Sequence, residues 1–200
     1  MDIVQIEKIA REQMADRRDI REREPGWTYY HCRRTARIAL RLCDELEIRS
    51  GRDEIYAGAL FHDVGKGAED HHLAGEAAAR GLLRDLCTPG ELDAVCDIVG
   101  KHCLRKEAAE FSDAVRVVQD ADLLDHFGPI EPWLAFYWSG LHGETFDDHL
   151  RFKKGEGNIA RRRGMRALIN YDAAKRMFDE RLAWEEEFFS RFHRIYREGM

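Results

Sequence analysis

The dipeptide His62-Asp63 ends the run Ile55-Tyr56-Ala57-Gly58-Ala59-Leu60-Phe61, which is apolar on every side of a helical projection. Such a run reads as a buried helix. A His-Asp pair arises by chance in a chain of this composition, so the informative point is its position. A carboxylate in the last turn of a buried helix faces desolvation and the negative end of the helix dipole. A cation must offset both, and either Lys66 or a metal ion can supply it. The same difficulty recurs elsewhere. His31 shares a helical face with Thr35, Ile38 and Leu42, and His102 follows Leu92, Val95 and Val99 on one stripe. Asp122 follows Val115 and Val118. His71 stands four residues before Gly75 on the stripe of Ala79, Leu82 and Leu86, with His72 as its competitor. Taken singly, each reads as a hydrogen-bonded core residue. Spread over separate helices, each needs its own partner, and a divalent cation answers for all of them. Imidazole nitrogens and carboxylate oxygens without thiolate suit Mn²⁺, Fe²⁺, Co²⁺, Ni²⁺ or Zn²⁺ better than Mg²⁺. The donor set leaves one or two ions open.

Helices must carry these residues, because Val, Ile and Thr together number only 23 of 200 and strand formers are correspondingly scarce. Apolar periodicity predicts helices over about Asp2–Glu22, Tyr29–Leu46, Asp53–Val64, Asp70–Leu86, Thr88–Cys103, Ser112–Phe127, Glu131–Leu141, Phe146–Phe152 and Ala167–Tyr196. Thr28 is a candidate cap for the second, and Thr88-Pro89-Gly90 opens the fifth. Lys153–Gly164 reads as a loop. With no repeat, linker or low-complexity tract, the expected architecture is all-α and single-domain over 1–200. A metal-site core would span about 27–127 and a helical extension about 128–200, ending in one long helix.

Composition removes several classes. A net charge of −6 with 35% charged residues argues against bulk nucleic acid as a partner. No apolar run reaches the roughly 18 residues that span a membrane. Five cysteines with no C-x-x-C pair fit neither a disulfide framework nor a thiolate zinc site, and a reducing cytoplasm is expected. An H-E-x-x-H zincin signature is absent. A ferritin-like bundle needs two E-x-x-H pairs, and only Glu69-Asp70-His71-His72 is present.

The order His31, then His62-Asp63 within Ala59-Leu60-Phe61-His62-Asp63-Val64-Gly65-Lys66, then Asp122 within Asp120-Ala121-Asp122-Leu123-Leu124-Asp125, resembles the HD superfamily of metal-dependent phosphohydrolases. Arg34, His71 and His102 extend the match, and Ala173–Phe192 resembles the last helix of small stand-alone bacterial members. The resemblance implies an all-α fold with a metal held by His31, His62, Asp63 and Asp122. Some branches hold a second metal bridged by the HD aspartate, where His71 (or His72) and His102 stand here. The glycine-tyrosine-proline signature of the cyclic-di-nucleotide branch is missing: Cys103-Leu104-Arg105-Lys106 follows His102.

The expected reaction is metal-assisted hydrolysis of a phosphate ester or anhydride in a nucleotide or similar small metabolite. Asp63 would hold metal and orient water. Lys66 would neutralise developing phosphoryl charge or simply pair with Asp63. Arg34 would grip phosphate or form an ion pair. Between Arg151 and Arg166, seven basic residues, Lys153 and Arg161 among them, meet only Glu156. That run reads either as a solvated loop or as a cationic lid for a polyphosphate. Two other classes compete: a di-iron oxygenase on the same fold, and a nucleotide or metal sensor without turnover. The oligomeric state is not readable.

Overall fold

The computed structural model describes residues 1–18, 20–105 and 111–199. Asp19, inside the first predicted helix, and Lys106, in the stretch after His102, lie outside the described residues. All regular structure among the described residues is helical. The chain packs as two compact units, Met1–Asp122 and Leu123–Met200.

The first unit contains α1 (Ile3–Met14), α2 (Trp27–Glu45), α3 (Arg52–Phe61), α4 (His71–Leu83), α5 (Pro89–Lys101) and most of α6 (Asp113–Asp125). Every residue of α3 from Ile55 to Phe61 is buried, as its unbroken apolar run requires. This helix packs against both α2 and α5, and α4 packs against α5. Leu42, Leu60 and Phe61 are fully buried, each worth about 1.5–3 kcal/mol of apolar transfer. Two glycines permit the close approaches that matter. A Cβ on Gly58 would lie 2.7 Å from Ile98 Cγ2, so α3 and α5 touch where one has no side chain. A Cβ on Gly65 would lie 2.2 Å from the His71 carbonyl oxygen and 2.4 Å from Gly75 N, so the start of α4 rests on the turn after α3.

Some boundaries depart from the sequence reading. The first helix ends at Met14 rather than Glu22. Beyond it Arg17 is a tie: its guanidinium donates to the Val64 carbonyl at 2.7 Å and the Lys66 carbonyl at 2.5 Å. Thr28 does not cap α2; Gly26, at φ +76°, holds that position and Thr28 is buried inside the helix. Thr88 does cap α5, in a reciprocal capping box with Glu91.

In the second unit, α7 (Glu131–His142), α8 (Phe146–Lys154) and α9 (Glu156–Ala167) precede α10 (Asp172–Glu198), the long C-terminal helix. The loop expected over Lys153–Gly164 is not there: α8 and α9 cover it, joined at Gly155. Ala160, Met165 and the arginines are good helix formers, and they outweigh Gly157 and Gly164 at about 1 kcal/mol each. Acidic residues of α10 also anchor the basic run. Arg162 reaches Glu185 at 2.9 Å, and Arg166 grips Asp179 through two bonds of 2.7 Å. No described helix is long and apolar enough to cross a membrane.

Candidate metal centre

His62 and His102 occupy the same local position, each the residue that ends its helix. Each stands one turn beyond the contact between Gly58 and Ile98, and that register brings their rings to 4.9 Å between centroids. In both, Nδ1–H donates to the carbonyl three residues back, Ala59 or Val99, at 2.7 Å. A carbonyl only accepts, so the proton sits on Nδ1 and the Nε2 lone pair faces inward. His31 is steadied by Trp27, whose ring stacks on it at 6.0 Å and 6°.

These atoms converge on Asp63. His31 Nε2 lies 3.2 Å from His62 Nε2 and 3.2 Å from Asp122 Oδ1. Asp63 Oδ2 is 4.0 Å from His31 Nε2 and 3.7 Å from His62 Nε2, and His62 Nε2 is 3.8 Å from Asp122 Oδ1. The other carboxylate oxygen, Asp63 Oδ1, faces a second group: His71 Nε2 at 3.7 Å and His102 Nε2 at 3.6 Å, themselves 3.3 Å apart. Of the His71-His72 doublet, His71 is thus the residue brought to the cluster. Metal–ligand bonds of about 2.0–2.2 Å place adjacent donors about 3.0–3.4 Å apart. The observed spacings run from that range to slightly above it, and the donors are the nitrogens and oxygens a divalent ion takes. The residues fit such an ion on either side of Asp63.

Electrostatics agree. Burial pushes His62 down to about 4, against the pull of Asp63 and Asp122, so at neutral pH it is the free base a metal requires. Burial works to raise Asp63, but the neighbouring imidazoles and the Lys66 ammonium overcome it and hold the carboxyl below its ordinary range. Burial, helped by Lys66, also lowers His71.

The remaining candidates separate. Lys66 Nζ lies 3.2 Å from Oδ1 and 3.1 Å from Oδ2 of Asp63. Arg34 lies over the Trp27 ring at 4.8 Å, on the residue that supports His31. In the second unit, Lys153 pairs with Glu131 and is 3.5 Å from Glu185. Arg161 donates to Asn158 at 3.3 Å and lies over Phe127.

Sequence reasoning passed over three contributors. Arg105 donates to Asp122 Oδ2 at 2.5 Å and to the Gln119 carbonyl, turning Oδ1 of Asp122 toward His31. Its place three residues after His102 repeats the His31–Arg34 spacing, which was the available signal. Trp27, four before His31, was legible as a helix neighbour. Cys103 was set aside with the other cysteines, yet one ligand atom each from His71, His102 and Cys103 lie within 4.8 Å of one another.

Residues 28–126 match the HD domain family. It is an HD-domain protein. The HD-superfamily hydrolase fold extends over nearly the whole chain. An HD-superfamily hydrolase from Bacillus thuringiensis is 22% identical with a TM-score of 0.68, covering 98% of this chain and 97% of that one. Bacillus subtilis YpgQ, solved in complex with ADP, is 18% identical with a TM-score of 0.64, covering 96% and 93%. Both likenesses speak to the fold. A bifunctional uridylyltransferase/uridylyl-removing enzyme of Neisseria meningitidis is 37% identical over 78 residues, which are 38% of this HD-domain chain and 9% of that enzyme.

Proposed function

We propose that this HD-domain protein is a metal-dependent phosphohydrolase that cleaves a phosphate ester or anhydride of a nucleotide or similar small metabolite. One observation carries the reading: the two oxygens of Asp63 face two donor sets, His31 with His62 and Asp122 on one side, His71 with His102 on the other. Those residues would hold two divalent ions sharing Asp63, with Mn²⁺, Fe²⁺, Co²⁺, Ni²⁺ or Zn²⁺ favoured over Mg²⁺ by the donor chemistry. When bound, a divalent ion supplies a Lewis acid that acidifies water and withdraws charge from a phosphoryl oxygen.

The chain's own residues supply orientation and charge. Nδ1–H bonds lock the tautomers of His62 and His102, Trp27 fixes the plane of His31, and Arg105 aims Asp122. Such outer contacts set ligand orientation and basicity. Lys66, with its side chain 35% exposed, sits at the rim of the cluster, where it can meet the charge of an incoming phosphoryl group. The ADP complex of YpgQ and the name of the uridylyl-removing enzyme support a nucleotide-like substrate. In this reading 1–200 serves one domain, with the metal core at about 27–127 and a helical extension at about 128–200. A cytoplasmic setting belongs to the same reading.

The test is to strip metal, restore Mn²⁺, Fe²⁺, Co²⁺ or Mg²⁺ separately without oxygen, and screen nucleotides for released phosphate or pyrophosphate. Turnover with a transition metal is expected, and Asp63→Ala should lose both metal and activity. Activity in that variant at normal metal content would refute the assignment. Product only with O₂ would make the protein a di-iron oxygenase, and tight nucleotide binding without product would make it a sensor.

A further inference from the structure

We propose that Cys103 is a third protein ligand on the His71–His102 side of Asp63, making that seat a mixed imidazole–carboxylate–thiolate site for a thiophilic divalent cation of the zinc class. The inference rests on the two-seat reading above and deepens it. Among the described residues, Cys103 is the one cysteine that falls in a group of metal donors, with a ligand atom within 4.8 Å of those of His71 and His102.

Adjacent residues inside a helix point about 100° apart, which would separate His102 from Cys103. The helix ends first. α5 stops at Lys101, His102 is its final cap, and the chain turns at once, with Leu104 N–H donating to the Lys101 carbonyl at 3.1 Å. Arg105 N–H then donates to the Cys103 carbonyl at 3.0 Å. The turn is pinned on both sides. His102 is tied back to Val99 at 2.7 Å, and the Arg105 guanidinium is tied forward to Gln119 and Asp122. The consecutive residues His102 and Cys103 are thereby both held close to His71, and the Nε2 atoms of His71 and His102 in turn face Oδ1 of Asp63 at 3.7 and 3.6 Å.

Binding forms a sulfur–metal bond and sends the thiol proton to solvent, with no change of oxidation state. A sulfur donor biases this seat toward Zn²⁺, Co²⁺ or Fe²⁺ and away from Mg²⁺ and Mn²⁺. The opposite seat, built from nitrogen and oxygen donors alone, lacks that bias. The two seats therefore differ in the class of ion they prefer.

The experiment is a Co²⁺ titration of the metal-free, full-length protein under reducing, anaerobic conditions, followed by absorption. Visible d–d bands count every bound ion, whereas a near-ultraviolet sulfur-to-cobalt charge-transfer band reports the thiolate. The expected result is two equivalents bound, with the charge-transfer band belonging to one of them. Cys103→Ser should abolish that band, keep the fold by circular dichroism, and weaken one equivalent by at least about tenfold. Cys87→Ser, in the connection between α4 and α5, should leave the band intact. Two equivalents with d–d bands but no charge-transfer band would overturn Cys103 as a ligand and leave the two-seat reading standing. One equivalent without that band would overturn both. A band that survives in Cys103→Ser would assign it to another thiol and refute the proposal.

Discussion

Replacing Gly65 by alanine tests how the fold brings the second donor set to Asp63. The added Cβ would lie 2.2 Å from the His71 carbonyl oxygen and 2.4 Å from Gly75 N. Both distances are about 1 Å or more inside van der Waals contact, and both partners are backbone atoms that no rotamer change can move. The first turn of α4 must therefore withdraw by about 1 Å, and forced overpacking of this kind costs about 1–3 kcal/mol. His71 opens α4, so the withdrawal carries its Nε2 away from His102 Nε2, now at 3.3 Å, and from Asp63 Oδ1, now at 3.7 Å. His31 and His62 stand on α2 and at the end of α3 and keep their places. Urea unfolding of the metal-free Gly65→Ala variant should show that loss of stability. Metal titration should show one equivalent weakened at least about tenfold and the other unchanged. Gly81→Ala is the control: it lies exposed within α4 with nothing within 4 Å of its Cβ, and should gain about 0.5–1 kcal/mol. A Gly65→Ala protein with the parent's midpoint and two undiminished equivalents would refute the reasoning.

Arg105→Gln should lower metal affinity by about 10–100-fold while leaving the protein folded, because Asp122 loses the bond that turns Oδ1 toward His31; calorimetric titration with Mn²⁺ checks it, and unchanged affinity would reduce Arg105 to a structural tie with no bearing on the metal. His149 gives a pH prediction. Its folded-state value is lowered from 6.5 by burial and then by Lys153, so on acidification the unfolded chain takes up the proton first. Stability is therefore lost as pH falls below 6.5, and His149→Phe, among Phe136 and Phe189, should remove that part of the loss. Parallel unfolding curves for parent and variant across this range would contradict it.

The fold class was legible because α3 and α10 announce themselves by pattern, one apolar all round and the other striped over its length. The candidate cluster was legible for a related reason: a histidine or aspartate on an inward stripe stands out against its neighbours. What stayed hidden depends on geometry between elements. Nothing local separates His71 from His72, since the choice is made where α4 meets Gly65. Cys103 and Arg105 come into play because α5 ends at Lys101, two residues early, and the chain turns, and periodicity is silent about what happens past a helix end. The run from Lys153 to Gly164 misled because its charges resemble a solvated loop, whereas Glu185 on α10, 23 residues beyond Arg162, and Asp179, 13 residues beyond the neighbouring Arg166, supply partners that hold this helical stretch.

Both carboxylates of the cluster carry a cation, and the two cations are built differently. Arg105 is pinned by a second bond to the Gln119 carbonyl, its side chain is 15% exposed, and it takes one oxygen of Asp122. Lys66 lies at 3.1–3.2 Å from both oxygens of Asp63, on a flexible stem that is 35% exposed. A buried carboxylate without counter-charge costs several kcal/mol, so Asp63 needs Lys66 when no ion is present. A divalent ion drawn to those same oxygens meets the ammonium as a competitor, and the exposed stem lets Lys66 swing outward. On the proposed function, Lys66 would then be a displaceable counter-ion, free to meet a phosphoryl group, while Arg105 stays in place. Lys66→Gln should therefore destabilise the metal-free protein by about 1–2 kcal/mol after solvent screening. In saturating Mn²⁺ the difference should vanish, because the ion replaces the lost charge. Unfolding midpoints of parent and variant, with and without Mn²⁺, decide the matter. An equal deficit in both conditions would mean that Lys66 stays on Asp63 in the loaded protein and has no second role.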